Sequence, residues 1–217
     1  MSIRIIFAEL FFAATTAIKD LFLWTMSQQL IQSVKYLIHL SEEEEEFLPT
    51  LFNRVSLKKN EYFLQEGKVA SQVAFIEKGL MRYVMTRDGE ELHTYFSCEN
   101  EWLGNHESFL SRQPANVSIV ALEPSVLWII SRENLQVMYD TLKQGDRLGR
   151  LIIESVFVES LKQVASLYTA TPEERYREFF EKFSRLQHRI PQYMIASYIG
   201  VKPQSLSRIR ARIAKGN

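Results

Sequence analysis

Cysteine is almost absent from this chain of 217 residues, with Cys98 as its one occurrence. A single thiol excludes a disulfide within the chain, and it also excludes zinc or iron–sulfur sites built from several thiolates. This scarcity is typical of a protein of the reducing cytoplasm, and no cofactor is expected. The apolar share of 46% and the charged share of 24% are those of an ordinary globular protein, with room for one large or two small domains.

An uninterrupted run of about 20 apolar residues, the length of a membrane-spanning helix, is also missing. The most apolar stretch, from Ile5 to Trp24, is broken by charged residues such as Glu9 and Asp20. It lacks the basic start and the small-residue cleavage site of a secretory signal. Residues 1–25 are therefore left outside the fold prediction. They form an amphipathic helix at a membrane surface, or the protein truly starts at Met26.

Acidic residues are missing from the C-terminal end of the chain. The stretch from Leu186 to Asn217 contains six Lys and Arg residues and no Asp or Glu, although the chain has 26 basic and 26 acidic residues in total. The rest of the chain therefore carries six net negative charges. A basic C-terminal module beside an acidic body is the charge distribution of a nucleic-acid binder whose other half has a different task.

Six short runs rich in β-branched and aromatic residues follow one another between Arg54 and Ile130. Turn residues separate them, and Asp88-Gly89 between two such runs is a pair that favours a tight β-hairpin turn. Short strands at this spacing predict an antiparallel β-barrel or jelly roll, which we assign to residues 26–143. The predicted strands are Tyr62–Leu64, Val73–Ile76, Met81–Met85, Leu92–Phe96, Val117–Leu122 and Val126–Ile130.

Residues 144–168 have helical periodicity and carry two apolar stripes instead of one. A helix that is apolar on two faces needs two partners, so we expect one face on the barrel and the other on the same helix of a second subunit. A helix buried entirely within one subunit is the alternative. The stripe assigned to the dimer contact is Leu148, Leu151, Ser155 and Val158, and the other stripe is Ile153, Phe157, Ser160, Val164 and Leu167.

Residues 169–217 begin with a capping box at Thr171–Glu174, which predicts a helix start. Two helices joined by a tight turn need a small residue where they cross and, four positions later, a residue that tolerates positive φ. Ala196 and Gly200 meet both demands, and Pro203 then opens the second helix. The apolar residues that face inward are Ile195, Ile199, Val201, Leu206 and Ile209. This combination predicts a helix-turn-helix.

The outward face of the second helix is polar and basic. In DNA-binding helices of this kind the N-terminal residues reach base edges in the major groove, where Gln pairs with adenine and Arg with guanine. A helical hairpin with a polar outer face is the alternative, and the absence of acidic residues disfavours it. The expected base contacts are Gln204, Ser205 and Arg208, and the expected phosphate contacts are Lys202, Ser207, Arg210 and Arg212.

The strand-rich segment, the long helix, the capping-box helix and the helix-turn-helix together resemble the Crp/Fnr family of bacterial transcription regulators. The segments FIEKGLMRYV, GNHESFLSRQPANVSIVALEPS and IASYIGVKPQSLSRIRARI are similar to its Bacteroidetes-type members, and the resemblance covers about residues 28–215. It implies an α+β fold in which an antiparallel jelly roll of the cyclic-nucleotide-binding kind, a long dimerisation helix and a small winged helix-turn-helix follow one another. It also implies a cytoplasmic homodimer that binds double-stranded DNA and acts on RNA polymerase.

The sequence departs from the cyclic-AMP-binding members of the family at the effector site. Members that bind cyclic AMP hold the ribose with a Gly-Glu pair and the cyclic phosphate with an Arg-Ser or Arg-Ala pair. Here the first pair is Gly104-Asn105, and Ala115 of Pro114–Asn116 stands where the arginine is expected. Glu107 and Arg112 are the nearest substitutes. A phosphate without its bidentate arginine loses a bond worth about 1.5–3 kcal/mol, so tight cyclic-nucleotide binding is not expected and the effector stays unknown.

Two other functions compete with a DNA-binding regulator. A jelly-roll metal enzyme would draw its ligands from His93, His106 and Glu107, but the chain lacks the His-x-His pair that such sites use, so it is not expected to be an enzyme. A regulatory module that acts through protein partners alone would have no need of a basic recognition helix, and that helix is intact.

Overall fold

The structure is a computed structural model that describes residues 27–186 and 188–214. The predicted N-terminal extension, residues 1–25, lies outside the described residues. Within the described ranges, no helix combines the length and the apolar character needed to cross a membrane.

In the described part of the chain, eight strands form two antiparallel four-stranded sheets that share one hydrophobic core. The strand orders are β1-β8-β3-β6 and β2-β7-β4-β5. Phe75 and Trp128 of the first sheet and Met81 and Ile119 of the second are completely buried between them. The strands are β1 Asn53–Leu57, β2 Tyr62–Leu64, β3 Gln72–Lys78, β4 Leu80–Arg87, β5 Glu90–Cys98, β6 Trp102–Leu103, β7 Ser118–Ala121 and β8 Ser125–Ser131. The predicted antiparallel β-roll is thus confirmed.

The hairpin predicted at Asp88-Gly89 joins β4 and β5. Both turn residues have positive φ, 53° and 79°, as a two-residue turn that matches the strand twist requires. Arg87 pairs with Glu90 across the turn. The sequence analysis did not predict strands β1 and β6, because β1 is largely polar and β6 has only two residues.

Eight α-helices surround and follow the β-roll within the described ranges. The first two precede it, and the second begins with a capping box, with the Glu44 amide donating to Ser41 Oγ and the Ser41 amide donating to the Glu44 carboxylate. The helices are α1 Gln28–Lys35, α2 Glu42–Phe47, α3 His106–Ser111, α4 Arg132–Thr141, α5 Gly145–Thr169, α6 Pro172–Lys182, α7 Gln192–Tyr198 and α8 Pro203–Ala214.

The long helix α5 leaves the β-roll, and α6 begins at the predicted capping box of Thr171. The described residues after α6 form helices and turns alone, so the wing strands that the resemblance implied are not found among them. A second hydrophobic cluster joins the C-terminal helices to β4 and β5 of the roll through Leu80 and Phe96. The order β-roll, long helix and C-terminal helices agrees with the predicted fold class, while the predicted domain boundaries stay predictions.

Candidate DNA-binding and effector sites

Helices α7 and α8 form the helix-turn-helix that the sequence predicts. Gly200 has φ of 71°, and the Val201 amide donates to the Ala196 carbonyl at 2.9 Å across the turn. Ala196 is completely buried, which explains why a small side chain is needed there. Of the residues predicted to face inward, Ile195, Ile199, Leu206 and Ile209 are buried, and Val201 is half-buried.

The outward face of α8 carries the predicted DNA contacts, and all but one are exposed. Ser205 is half-buried, whereas Lys202, Gln204, Ser207, Arg208, Arg210 and Arg212 are exposed. Arg210 donates to the Gln192 side chain at 2.6 Å, and Arg212 lies 3.6 Å from the Glu173 carboxylate. Arg208 has no side-chain partner in the described part of the chain, so its guanidinium is free to bind a ligand.

Residues 104–116 correspond to the segment that holds the cyclic nucleotide in members that bind cyclic AMP, and we call them the cassette. Polar groups of the cassette form hydrogen bonds within the protein. Asn105 caps α3, because its side chain accepts from the Ser108 amide at 2.8 Å. The Gly104 amide donates to the Tyr83 hydroxyl at 3.3 Å. Ala115 is buried, and its amide and carbonyl bind backbone groups of the loop after β2. The amides of Gly104, Ser108 and Ala115 are therefore already occupied.

The two substitutes considered for the missing cassette residues, Glu107 and Arg112, are exposed to solvent. Arg112 ends α3 in the left-handed conformation with φ of 60°, at the opposite end of this helix from Asn105, and it is exposed. Glu107 and Asn116 are exposed as well. The described cassette thus contains no buried cation for a cyclic phosphate.

A cavity of about 1050 Å³ lies between α1, the β-roll and α5. Its walls include Tyr83, Tyr95 and Trp102 from the roll, and Lys182 at the end of α6. Burial raises the pKa of Tyr83 to about 12, so this phenol stays protonated. The sequence patterns gave no sign of this cavity, because its walls come from four separate parts of the chain.

The C-terminal helices pack directly on β5, which is an edge strand of its sheet. The His93 amide donates to Ser197 Oγ of α7 at 2.9 Å, and Gln163 of α5 donates to the Thr94 carbonyl at 2.7 Å. Phe96 is completely buried against aromatic rings of α6 and α7. Side chains of the helices therefore satisfy backbone groups that an edge strand would otherwise leave unpaired.

Arg189 adds an ionic clamp to this contact. Its guanidinium donates two hydrogen bonds to Glu99, at 3.0 and 2.8 Å, and two to Glu123, at 2.5 and 3.3 Å. These hydrogen bonds raise the pKa of Arg189 and keep it charged. The sequence identified Arg189 only as one of the basic residues of the C-terminal end. No neighbouring residues indicate that its partners are Glu99 and Glu123, which are distant along the chain.

His93 is buried beneath α7 and only 2% exposed. Neither ring nitrogen has a hydrogen-bond partner among the described residues, and the ring faces Phe96 and Tyr193. Burial, with the positive charge of Arg82, lowers the pKa of His93 to about 4. The ring is therefore neutral at physiological pH.

The three residues considered as metal ligands of a jelly-roll enzyme do not form a metal site. In the described ranges, no three His, Cys, Asp or Glu side chains are grouped so as to hold a metal ion, and His93, His106 and Glu107 do not come together.

The two stripes of α5 have different environments. Leu148 is completely buried in the β-roll core and Leu151 packs partly against it, so the prediction that they contact a second subunit is wrong for Leu148, which has no free surface. Ser155 lines the cavity, and Val158 is half exposed. The other stripe is the exposed one, and sequence analysis had not included Leu161 and Tyr168 in it. Its exposed apolar members are Ile153, Phe157, Leu161, Val164, Leu167 and Tyr168.

Comparisons with known proteins agree with this architecture. Residues 54–142 match the family model described as the cyclic nucleotide-binding domain. Comparison with curated protein sequences gives no match. Among solved structures, FixK2 from Bradyrhizobium japonicum is similar, with 16% identity, a TM-score of 0.66 and coverage of 76% of this chain and 85% of that one.

Two further structures have the same fold. A CooA mutant from Carboxydothermus hydrogenoformans is 16% identical with a TM-score of 0.63, and covers 81% of each chain. The Thermus thermophilus Catabolite Activator Protein is 17% identical with a TM-score of 0.53, covering 85% of this chain and 87% of that one. At this identity the likeness establishes the fold. Residues 54–142 of the chain therefore match a cyclic nucleotide-binding domain, and the chain has the fold of the Crp/Fnr transcription regulators among these solved structures.

Proposed function

We propose that this protein is a sequence-specific DNA-binding transcription regulator. The observation that carries the proposal is the outward face of α8, a basic surface without any acidic residue, held by a helix-turn-helix with the required small and positive-φ residues. Gln204, Ser205 and Arg208 are the proposed base contacts. Lys202, Ser207, Arg210 and Arg212 are the proposed phosphate contacts, and Lys202 stands just before α8, where backbone amides favour an anion.

The protein is proposed to act as a homodimer through α5. The exposed stripe centred on Phe157, which is 62% exposed, supports this assignment because monomeric proteins rarely leave so regular an apolar surface uncovered. Two copies of α8 related by a two-fold axis would contact two half-sites of a symmetric DNA sequence. The expected setting is the cytoplasm, with RNA polymerase as a further partner.

The β-roll is proposed to sense an effector other than a cyclic nucleotide. The cassette lacks a buried cation, and the Gly104 and Ser108 amides are occupied by Tyr83 and Asn105. A cyclic phosphate buried there would lose its water without gaining a charge-assisted bond.

Selection of bound sequences from random duplex DNA, without ligand and with cyclic AMP, tests this proposal. A two-fold symmetric motif is expected, with the same affinity in both conditions. If cyclic AMP strengthens binding, the assignment of the effector site is wrong. If no sequence is enriched in either condition, DNA binding requires the unknown effector, or sequence-specific binding is wrong and a module that acts through protein partners becomes the better hypothesis.

A further inference from the structure

The cavity between α1, the β-roll and α5 has the size of a site for an organic ligand. Its volume of about 1050 Å³ is at the upper end of the range for small-molecule sites, roughly 300–1,000 Å³. It is bounded by α1, by the β-roll, by α5 and by Lys182 at the end of α6. A molecule inside it would touch the β-roll, the long helix and, at Lys182, the C-terminal helices.

The walls offer flat aromatic and aliphatic surfaces. Tyr83 and Tyr95 stand edge to face with centroids 5.6 Å apart, and Trp102 lies beside them in the wall. Ile152 and Val156 of α5 face the cavity from the other side. Such surfaces suit a planar ring system, which packs against aromatic faces and edges at these distances.

The charged residues that line the cavity disfavour an anionic ligand. Lys182 is the basic residue of the lining, and its ammonium group is already bonded to the Glu159 carboxylate. Glu101 is half-buried, and the described residues include no ion-pair partner for it; its carboxylate accepts from the Cys98 amide at 3.1 Å and, weakly, from the Cys98 thiol at 3.8 Å. Burial raises the pKa of Glu101 and lowers the pKa of His106, so His106 is neutral and adds no positive charge. Glu101 is therefore the lining carboxylate without an ion-pair partner, and it can accept a further hydrogen bond from a ligand.

We propose that this cavity binds a planar aromatic compound that has no acidic group and presents an N–H donor to Glu101. The proposal deepens the sensor role proposed above, on which its regulatory meaning rests. The aromatic walls bind the ring system, and the carboxylate of Glu101 orients it and excludes acidic analogues. This chemistry differs from that of a cyclic nucleotide, whose phosphate would meet a carboxylate here and a cassette without a cation.

Two fluorescent probes that differ by one acidic group test the ligand class. N-phenyl-1-naphthylamine is neutral, aromatic and carries one N–H, and 8-anilinonaphthalene-1-sulfonate has the same rings and N–H with a sulfonate added. With the full chain, saturable binding of the neutral probe is expected, about tenfold tighter than binding of the sulfonate. Glu101→Gln is expected to narrow this difference, because it removes the repulsion of the sulfonate. Equal affinities in the parent protein, or displacement of the neutral probe by cyclic AMP, would overturn the proposal.

A cavity-filling variant tests the location. Val156→Trp is expected to weaken binding of the neutral probe about tenfold or more. Val137→Trp, at an exposed position of α4 outside the cavity, is the matched control and is expected to leave binding unchanged. Unaltered binding by the Val156 variant would place the probe on another apolar surface and overturn the proposal. If circular dichroism shows that this variant does not fold, Ser155→Trp takes its place. These measurements use no DNA, so their failure is distinct from a failure of the DNA selection.

Discussion

Arg208 is the residue on which base reading is expected to depend most. It is exposed on α8 and has no side-chain partner in the described part of the chain, so no internal bond is lost when it binds guanine. Arg208→Ala is expected to weaken specific DNA binding by about 1–3 kcal/mol and to relax one base position in each half-site. The DNA selection repeated with the variant, together with a titration on the preferred site, measures both effects.

Arg212→Ala is the matched control for this prediction. Arg212 also lies on the exposed side of α8, but near its end and beside Glu173, and it is assigned to a phosphate. Its loss is expected to leave the selected motif unchanged and to reduce the slope of log affinity against log salt by about 0.9. A selected motif that is the same for parent and Arg208 variant would contradict the base contact.

His93 gives the stability of the protein a specific pH dependence. Its pKa is about 4 in the folded chain because of burial, against 6.5 for an ordinary histidine. Because the folded state has the lower pKa, the unfolded chain binds more protons between these two values. The His93 contribution to the free energy of unfolding is therefore constant above about pH 6.5, and the free energy falls as pH drops from 6.5 to about 4.

His93→Phe is expected to remove this part of the pH dependence. Phenylalanine fits beside Phe96 and Tyr193 and does not titrate. Urea unfolding midpoints, measured from about pH 7.5 to 4.5, should decline less steeply for the variant than for the parent. Parallel declines would show that carboxylates elsewhere account for the acid sensitivity. The sequence does not predict that both ring nitrogens of His93 lack a hydrogen-bond partner among the described residues, because this depends on packing against α7.

Structural elements that depend on short sequence motifs were predicted correctly from the sequence. The hairpin at Asp88-Gly89, the capping box at Thr171 and the turn at Gly200 each depend on a few neighbouring residues, and the structure confirms them. The two faces of α5 could not be assigned in the same way. Both stripes are apolar, and which one faces the roll is decided by the direction in which the chain leaves α4, a tertiary property that periodicity does not contain.

The exposed stripe of α5 makes a prediction about assembly. Phe157→Asp is expected to dissociate the proposed dimer, because a charge in the middle of an apolar contact would lose its water without a partner. Sedimentation equilibrium at several concentrations measures the change in mass. Leu110→Asp replaces a leucine that is equally exposed, on α3 and away from α5, and should not affect assembly. A Phe157 variant with the mass of the parent would contradict the assignment of this stripe.

At the scale of the whole molecule, the sequence could not predict that the C-terminal helices pack on β5. Arg189 is separated from Glu99 by 90 residues and from Glu123 by 66, and no periodicity relates positions so far apart. The contact matters because it fixes the orientation of α8 relative to the roll and thus to any second subunit. A helix-turn-helix that is identified locally can bind two half-sites only if this orientation suits their spacing.

Removal of the ionic clamp should loosen this docking without unfolding either part. Arg189→Ala deletes four charge-assisted hydrogen bonds on carboxylates that are about one-third exposed. A hydrogen bond of this type contributes about 1.5–3 kcal/mol, and solvent screening reduces the value here, so we expect a loss near 1.5 kcal/mol. Hydrogen exchange at the His93 amide, which is bonded to Ser197, should then accelerate about tenfold. Arg185→Ala, at an exposed neighbouring position, is the control, and equal exchange rates in the two variants would mean that the aromatic contacts around Phe96 hold the C-terminal helices without the clamp.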